Sequence, residues 1–580
     1  MAQKIPVGAE SFDKIRTHGL LYVDKTELLV PLCQDVIDGK MNVHVFTRPT
    51  RFGKTLNLSM IERFFDVAYD GAPDVFENLD ISRHQGLDQL KNRYPVIRIN
   101  FRDIDPSSPD QTKSSIRSTI MNVSQDIISR YGYGWMSDNV KGLMDSLANG
   151  KEDYPVCISA IRMISRYLRN GLRWPDGSLV GNAPVILIDE YDAFLHDLDK
   201  APQDRVDEVT RILSKFMTSI LKTNEDFSLG VVTGVLRLSQ TGILSGLNSP
   251  VMHDMFDEGT GRFFGYTEEE VRKLVNEHVP EPLREKAMAD ARHMYDGYVF
   301  GKTEVYNPRS INMYLADGDF YSNPKEYWEQ SRRNYFLDSL VESSPQSVQD
   351  MIAGLAVREG SEAVADVAPA TVYQDVYRDP SSETALVSCL VVSGYLKAVP
   401  LERIGTSLVR CSVSVPSREM AHAYSHLVAT ARARRSNGNG FVDALYSCDG
   451  ARATREFSSR LESHSIRDPW SHQRCKEHLL GYFLDRFFAA RAEAETGNGF
   501  VDVLVERDPE RGAPPLCIEI TTTDEAGTMD LGRTLELCER KFEDRRYGSG
   551  FENAILVAFA WDRKACRIAV KRTSDEEWSE

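Results

Sequence analysis

Gly53, Lys54 and Thr55 close the stretch TRPTRFGKTLNLS at residues 47–59, and three such residues in that order can hold phosphate. Backbone N–H groups at the start of a helix take phosphate oxygens, the lysine reaches the outer phosphates and the hydroxyl ligates magnesium. The usual pattern is Gly, four residues, then Gly-Lys-Ser/Thr. Here Arg48 stands at the first glycine position, followed by Pro49. Arginine tolerates left-handed backbone poorly, and proline has no N–H to give. The N–H groups of Phe52, Gly53, Lys54 and Thr55 remain, and these lie nearest the phosphates. Arg48 and Arg51 either add cationic contacts or sit on the surface.

A nucleotide site also needs carboxylates, and PVILIDEYDAF at 184–194 supplies them. Four apolar residues, Val185 to Ile188, read as a central parallel strand that ends in acids. Asp189 is expected to hold magnesium through water, and Glu190 to orient the attacking water. Either motif alone arises by chance; the two in this order point to a nucleotide site. A third run, LGVVTGVLRLS at 229–239, places Thr233 where a polar residue could sense the outer phosphate. Arg237 could stand beside that phosphate, or equally snorkel from a strand to the surface.

These residues need a scaffold. NVHVF at 42–46 has the β-branched and aromatic content of a buried strand. Leu56, Met60 and Phe64 then recur at helical spacing, widened by Leu58, Ile61 and Phe65. Strand, tight loop and helix is the setting in which a phosphate loop works. The whole chain, 580 residues with 42% hydrophobic and 27% charged content, is long enough for two to four domains. No apolar run reaches membrane-spanning length, and the first residues show no signal-peptide core. Nine scattered cysteines contain no C-x-x-C pair, which fits reduced thiols in an intracellular, cytoplasmic protein. A nuclear location is not excluded by these features. A net charge of −17 argues against a surface coated for constant nucleic-acid binding, though not against a local basic channel.

KIPVGAESFDKIR, LLYVDKTELL, TRPTRFGKTLNLSMIERFF, VILIDEYDAFL and VVTGVLRLSQTGILSGLNS together resemble the AAA-ATPase-like family. FFGYTEEEVRKLV, MYDGYVFGKTEVYNPRSI and VVSGYLKAV extend the resemblance from about residue 4 to 570. That family usually has an arginine and a proline before its GKT, so the odd entrance is a family trait. Its members typically carry a C-terminal PD-(D/E)XK nuclease-like domain. The resemblance implies an ATP-binding core and adds weight to Lys54, Thr55, Asp189 and Glu190. Between 266 and 425 the chain offers less chemistry. YTEEEVRKLVNEHV reads as an amphipathic helix with Thr267 as N-cap and three glutamates in the first turn. The aromatic clusters MYDGYVF and FYSNPKEYW read as core. REGSEAVADVAPATVYQD reads as a helix and then a loop at a domain junction.

The hexapeptide GNGFVD occurs at 438–443 and again at 497–502, and the differing flanks make the repeat a coincidence. GNGFVDVLVER and PPLCIEITTT read as two strands bearing Asp502 and Glu519. A nuclease of this type needs two such carboxylates on magnesium, and a lysine two residues beyond the second acid. Thr521 stands there instead, and Lys541, on the amphipathic LGRTLELCERKFEDRRY, is the candidate to replace it. The family also places a glutamate on the domain's first helix, where HQRCKEHLLGYFL shows Arg474, with Glu477 fitting only in another register.

The expected fold is therefore α/β. It comprises a P-loop NTPase core with a parallel sheet over 1–265, a helical lid and connector over 266–425, and a smaller restriction-endonuclease-like domain over 426–580. The expected protein is an ATPase using ATP and Mg²⁺, coupled to a nucleic-acid-directed domain that meets DNA or another nucleic acid. It has no membrane partner, and a homo-oligomer is compatible with it. Two alternatives stand: a nucleotide-gated switch or scaffold with an inert nuclease fold, and an active ATP-dependent nuclease using Lys541.

Overall fold

The computed structural model describes residues 3–198, 201–236, 250–322, 324–327, 340–341, 344–357, 360–369, 381–405, 408–435, 440–461, 476, 479, 483, 490–496, 498–506, 514–527, 530–548, 551, 553–562 and 565–580. The chain divides into two compact units, Met1–Phe336 with Val364–Glu419, and Leu337–Ala363 with Met420–Glu580.

The first unit begins around a helix α1 (Leu29–Ile37), the strand β1 (Val43–Thr47) and the helix α2 (Lys54–Phe65). Further strands β2 (Val96–Asn100), β3 (Val185–Asp189), β4 (Leu229–Gly234) and β5 (Val251–His253) complete one sheet in the order β2-β3-β4-β1-β5. Every neighbouring pair is parallel. All residues of β1, β3 and β4 are buried, the mark of parallel strands covered on both faces. Helix α2 packs on β3 and β4, and the helix Pro109–Tyr131 packs on β2. Parallel strands put their carboxyl ends at one edge, and there the register sets Thr47 beside Gly234 and Asn100 beside Asp189. The loop after β1 and the acidic end of β3 thus arrive at the same edge, one strand apart.

Downstream, α3 (Glu268–His278) starts from Thr267, whose hydroxyl accepts the Glu270 N–H while the Glu270 carboxylate takes the Thr267 N–H. The 266–425 stretch, expected to be helical, also holds strands: the hairpin β6 (Tyr298–Phe300) and β7 (Thr303–Val305), and a sheet in which β10 (Leu408–Ser414) lies between β8 (Ala363–Val367) and β9 (Lys397–Ile404). A helix α4 (Pro308–Asp317) follows β7. Ala363–Val367, read from sequence as helix and loop, is the strand β8. The reason is tertiary. Asp366 pairs with Arg410 at 2.9 Å on β10 (Leu408–Ser414), which itself pairs antiparallel with β9 (Lys397–Ile404), and partner strands override the helical leaning of the alanines. Of the two aromatic clusters read as core, Tyr295, Tyr298, Phe300, Phe320 and Tyr327 are buried, but Tyr321 is exposed to 81% and is no core residue; Trp328 lies outside the described residues.

The second unit includes the helices α5 (Gly440–Tyr446) and α6 (Gly450–Leu461) and a mixed sheet. Its strands are β11 (Ala490–Thr496), β12 (Gly499–Val505), β13 (Leu516–Thr522), β14 (Ile555–Asp562) and β15 (Ala565–Arg572), in that spatial order. β11, β12 and β13 run antiparallel in succession. A helix α7 (Leu531–Arg545) then crosses over so that β14 lies parallel to β13. Helix α7 packs on β13, β14 and β15 over Leu535, Cys538 and Phe542; α5 and α6 meet the same sheet over Phe441, Leu445 and Phe457. The two copies of Gly-Phe-Val-Asp, 440–443 and 499–502, fold as helix and as strand respectively. That is the outcome of a coincidental repeat.

Candidate active site

The loop after β1 turns at Arg51 (φ 72°) and Gly53 (φ 81°), and Arg48 keeps ordinary backbone. Glycine takes that conformation freely, whereas arginine accepts about 1–2 kcal/mol to do so. Gly53 precedes the first turn of α2 and no side chain caps that helix, so its leading N–H groups point at whatever anion meets them. Lys54 is buried, and its Nζ donates to the carbonyl oxygens of Arg48 and Pro49, both at 2.9 Å. Burial lowers the Lys54 ammonium from its ordinary value, against the pull of Asp192, Asp189 and Glu190. The charges of these three carboxylates thus act on this lysine. Thr55, on the first turn, is half-buried.

Arg48 is fully buried, and its guanidinium points into the protein. It donates to the carbonyls of Thr47 (2.8 Å) and His253 (2.6 Å) and to Thr260 Oγ1 (3.1 Å), over the rings of Phe264 and Phe300. What Arg48 offers the loop after β1 is its carbonyl, as an acceptor for Lys54. The Arg51 guanidinium is pushed down to about 10 by burial and by Arg309, with Glu419 opposing. Phe52 packs its ring against Tyr298 (4.8 Å) and Phe300 (5.1 Å), leaving only backbone to serve a ligand.

Asp189 ends β3, one per cent exposed. Its Oδ1 accepts the Thr233 hydroxyl at 2.6 Å and the Glu190 N–H at 3.1 Å, and its Oδ2 lies 3.8 Å from Arg98. Thr233 reaches it because β4 pairs with β3 in the register Ile188–Val232. Glu190 has φ 50°, a left-handed value that turns the chain off the strand. Burial raises its carboxyl above the usual range, and Arg102, 3.7 Å away, opposes this. Arg237 lies outside the described residues.

Two further residues of the same turn carry weight that sequence reading did not give them. Asp192 Oδ2 accepts the N–H groups of Val235 (2.9 Å) and Leu236 (2.6 Å), and the Tyr191 hydroxyl donates to the Leu236 carbonyl (2.5 Å). These bonds tie the end of β3 to the end of β4. The signal was a carboxylate three positions after Asp189, inside the quoted stretch.

In the second unit, Asp502 and Glu519 stand one step beyond the antiparallel pair Val503–Ile518. Lys541 Nζ is 3.0 Å from Glu519 Oε1, bringing α7 to β13. Lys476 Nζ is 3.1 Å from Asp502 Oδ1, and Asp502 Oδ2 accepts the Ile520 N–H at 2.8 Å. Burial, then Asp502, raises the Glu519 carboxyl above its ordinary value, while Lys541 lowers it. Glu519 Oε2 is buried without a hydrogen-bond partner. Arg474 and Glu477 lie outside the described residues; Lys476, between them, is the basic partner that sequence reading passed over. No cluster of three or more His, Cys, Asp or Glu able to hold a metal occurs among the described residues.

Residues 6–244 match a family model described as "Predicted AAA-ATPase", which supports an ATP-binding, AAA-ATPase-like part over those residues. No curated protein matches the chain. Among solved structures it is similar to the Aeropyrum pernix ORC1 protein, determined in complex with DNA. The identity is 14%, over 72% of this chain and 95% of that one, with a TM-score of 0.25, too low to carry an argument. No helix among the described residues is long and apolar enough to cross a membrane.

Proposed function

We propose that the first unit binds ATP at the carboxyl edge of its parallel sheet and hydrolyses it. The observation that carries this reading is the buried Lys54, at the uncapped start of α2 behind a left-handed turn, donating to the carbonyls of Arg48 and Pro49. In the proposed roles, the N–H groups of Phe52, Gly53, Lys54 and Thr55 cradle phosphate oxygens. Lys54 exchanges its two carbonyl acceptors for phosphate. Thr55 and Asp189 offer hard oxygen donors of the type Mg²⁺ prefers, and the bound ion would neutralise phosphate charge. Glu190, carried off the strand by its left-handed turn, orients the attacking water. Thr233 fixes the Asp189 carboxylate and so aligns β4 with it. Glu190→Gln is the test of hydrolysis. ATP binding is expected to persist while turnover falls by a factor on the order of 10²–10⁴, the size of a general-base contribution. Turnover equal to that of the starting protein would remove Glu190 from the chemistry.

For the second unit, we infer a PD-(D/E)XK-like, nucleic-acid-directed domain coupled to nucleotide binding. Lys541 at 3.0 Å from Glu519 favours the reading in which it replaces the lysine missing at Thr521. The orphaned Glu519 Oε2 suits a divalent cation, whereas both Asp502 oxygens already have donors, so metal binding there competes with Lys476. Cleavage of DNA with Mg²⁺ or Mn²⁺, abolished in both Glu519→Ala and Lys541→Ala, would support an active site of this kind. No cleavage by the intact chain would favour an inert fold that binds without cutting.

A further inference from the structure

On the β1–β5 side of the sheet, away from the carboxylates, two histidines face each other inside the first unit. His44 Nδ1 lies 3.0 Å from His253 Nε2, with the rings nearly parallel. Each histidine's other nitrogen meets a carboxylate: His44 Nε2 is 2.9 Å from Asp35 Oδ2, and His253 Nδ1 is 3.0 Å from Asp257 Oδ2. Both carboxylates are held ionised. Burial alone would raise Asp35, but Asn42, His44 and Lys40 bring it below its ordinary value. Burial likewise opposes Asp257, yet His253, Thr260 and the Gly259 N–H hold it well below the usual carboxylate range.

Counting protons on this chain leaves little freedom. Ionised Asp35 and Asp257 accept only, so His44 Nε2 and His253 Nδ1 must each carry a hydrogen. Two neutral imidazoles would then present bare lone pairs to each other across 3.0 Å. A third proton between them turns that contact into a hydrogen bond; a fourth would set two N–H groups against each other. We propose that His44 and His253 share one additional proton, giving the pair a single positive charge, and that this proton holds the phosphate loop in place through Arg48.

The route to the loop is continuous. Asp257 also accepts the Thr260 hydroxyl, Thr260 accepts from Arg48 Nη2 at 3.1 Å, and the His253 carbonyl takes Arg48 Nη1 at 2.6 Å. The Arg48 carbonyl in turn accepts Lys54. Along this line the charges alternate: Asp35 negative, the histidine pair positive, Asp257 negative, Arg48 positive. Removing the shared proton takes the positive charge from between two part-buried carboxylates and leaves only Lys40 at Asp35 and Arg48 near Asp257 to balance them. Other charged groups face the chain. Lys40 lies 3.3 Å from Asp35 and 2.8 Å from Asp38, and Asp254 draws on Arg48 together with Asp257. Burial is the largest influence on His44 and lowers it from the ordinary imidazole value; the hydrogen bond to Asp35 opposes this, and His253 adds to the lowering.

The sign of the linkage follows. At a pH above the unfolded imidazole value of about 6.5 the unfolded histidines are mostly neutral, so the folded pair binds one proton more. The stabilisation is full below that pH and lost as pH rises through the upper step of the pair. The loop itself reports the effect, so the proposal stands or falls apart from whether ATP binds there. The full chain, labelled with ¹⁵N-histidine, is examined at neutral pH, where three of the four nitrogens of this pair should be protonated. His44→Asn and His253→Gln assign the signals. Backbone amide exchange of peptides covering 47–54 is then compared at one slightly acidic pH. His253→Gln should exchange about tenfold faster than the starting chain, the factor for one lost charged hydrogen bond. The two proteins should converge at alkaline pH. Only two protonated nitrogens, or equal loop exchange in a folded variant at acidic pH, would overturn the proposal. If His253→Gln does not fold, the pH dependence of loop exchange in the unmodified chain decides, and a flat profile contradicts it.

Discussion

Thr233 and Asp189 show how one hydroxyl can set the carboxylate proposed to meet Mg²⁺. Their 2.6 Å bond is buried, and Thr233→Val keeps the shape of the side chain while removing the donor. The expected loss of stability is about 1.5–3 kcal/mol, the range for hydrogen bonds to charged groups, read from urea denaturation. Mg²⁺-dependent nucleotide affinity should weaken in the same variant. Glu190 yields a prediction of a different kind. Burial raises its carboxyl, so it takes up a proton at higher pH than an exposed glutamate would. If it must be ionised to orient water, turnover falls on acidification, and that acid limb is displaced upwards. A pH profile of turnover checks this, and an acid limb at the ordinary glutamate value contradicts it. The types of these residues and their spacing are legible in the sequence, because strand, loop and acid motifs are local. The destination of Arg48 is not, since its partners His253 and Thr260 are 205 and 212 positions away in the chain.

At the scale of elements, close approach decides what the sheet edge tolerates. A Cβ on Gly234 would stand 2.5 Å from Asp192 Oδ1 and from the Tyr191 ring, so Gly234→Ala must push the ends of β3 and β4 apart. About 1–3 kcal/mol of destabilisation is expected from overpacking, with turnover lowered because Asp189 and Thr233 sit at the displaced ends. Thr267→Ala makes the contrasting case. It removes the hydroxyl half of the α3 capping box and should cost about 1 kcal/mol in thermal or urea unfolding while leaving nucleotide affinity unchanged. The cap of α3 is legible because Thr267 and Glu270 are three residues apart. β8 is not, because alanines accept helix or strand and only the partner strand β10 selects between them. The Gly-Phe-Val-Asp pair makes the same point: identical residues become α5 in one place and β12 in the other, according to the core each must fill.

Over the whole molecule, a net charge of −17 makes general adhesion to nucleic acid an unsuitable mode for this chain, so any DNA contact must be local. The coupled reading of the two units predicts that DNA alters ATP turnover; a nucleotide-gated switch predicts slow turnover that DNA leaves unchanged. Both rest on nucleotide binding at the loop after β1. Calorimetric titration of the purified chain with ATP and Mg²⁺, beside Lys54→Ala, tests that premise most directly. In the proposed role, Lys54 supplies a cation to a loop in which Pro49 has no N–H to offer. The expected result is saturable, Mg²⁺-dependent binding by the unmodified chain and its loss in Lys54→Ala, with the circular dichroism of the two proteins the same. Equal affinity in the two folded proteins, or no binding by the unmodified chain, would contradict it.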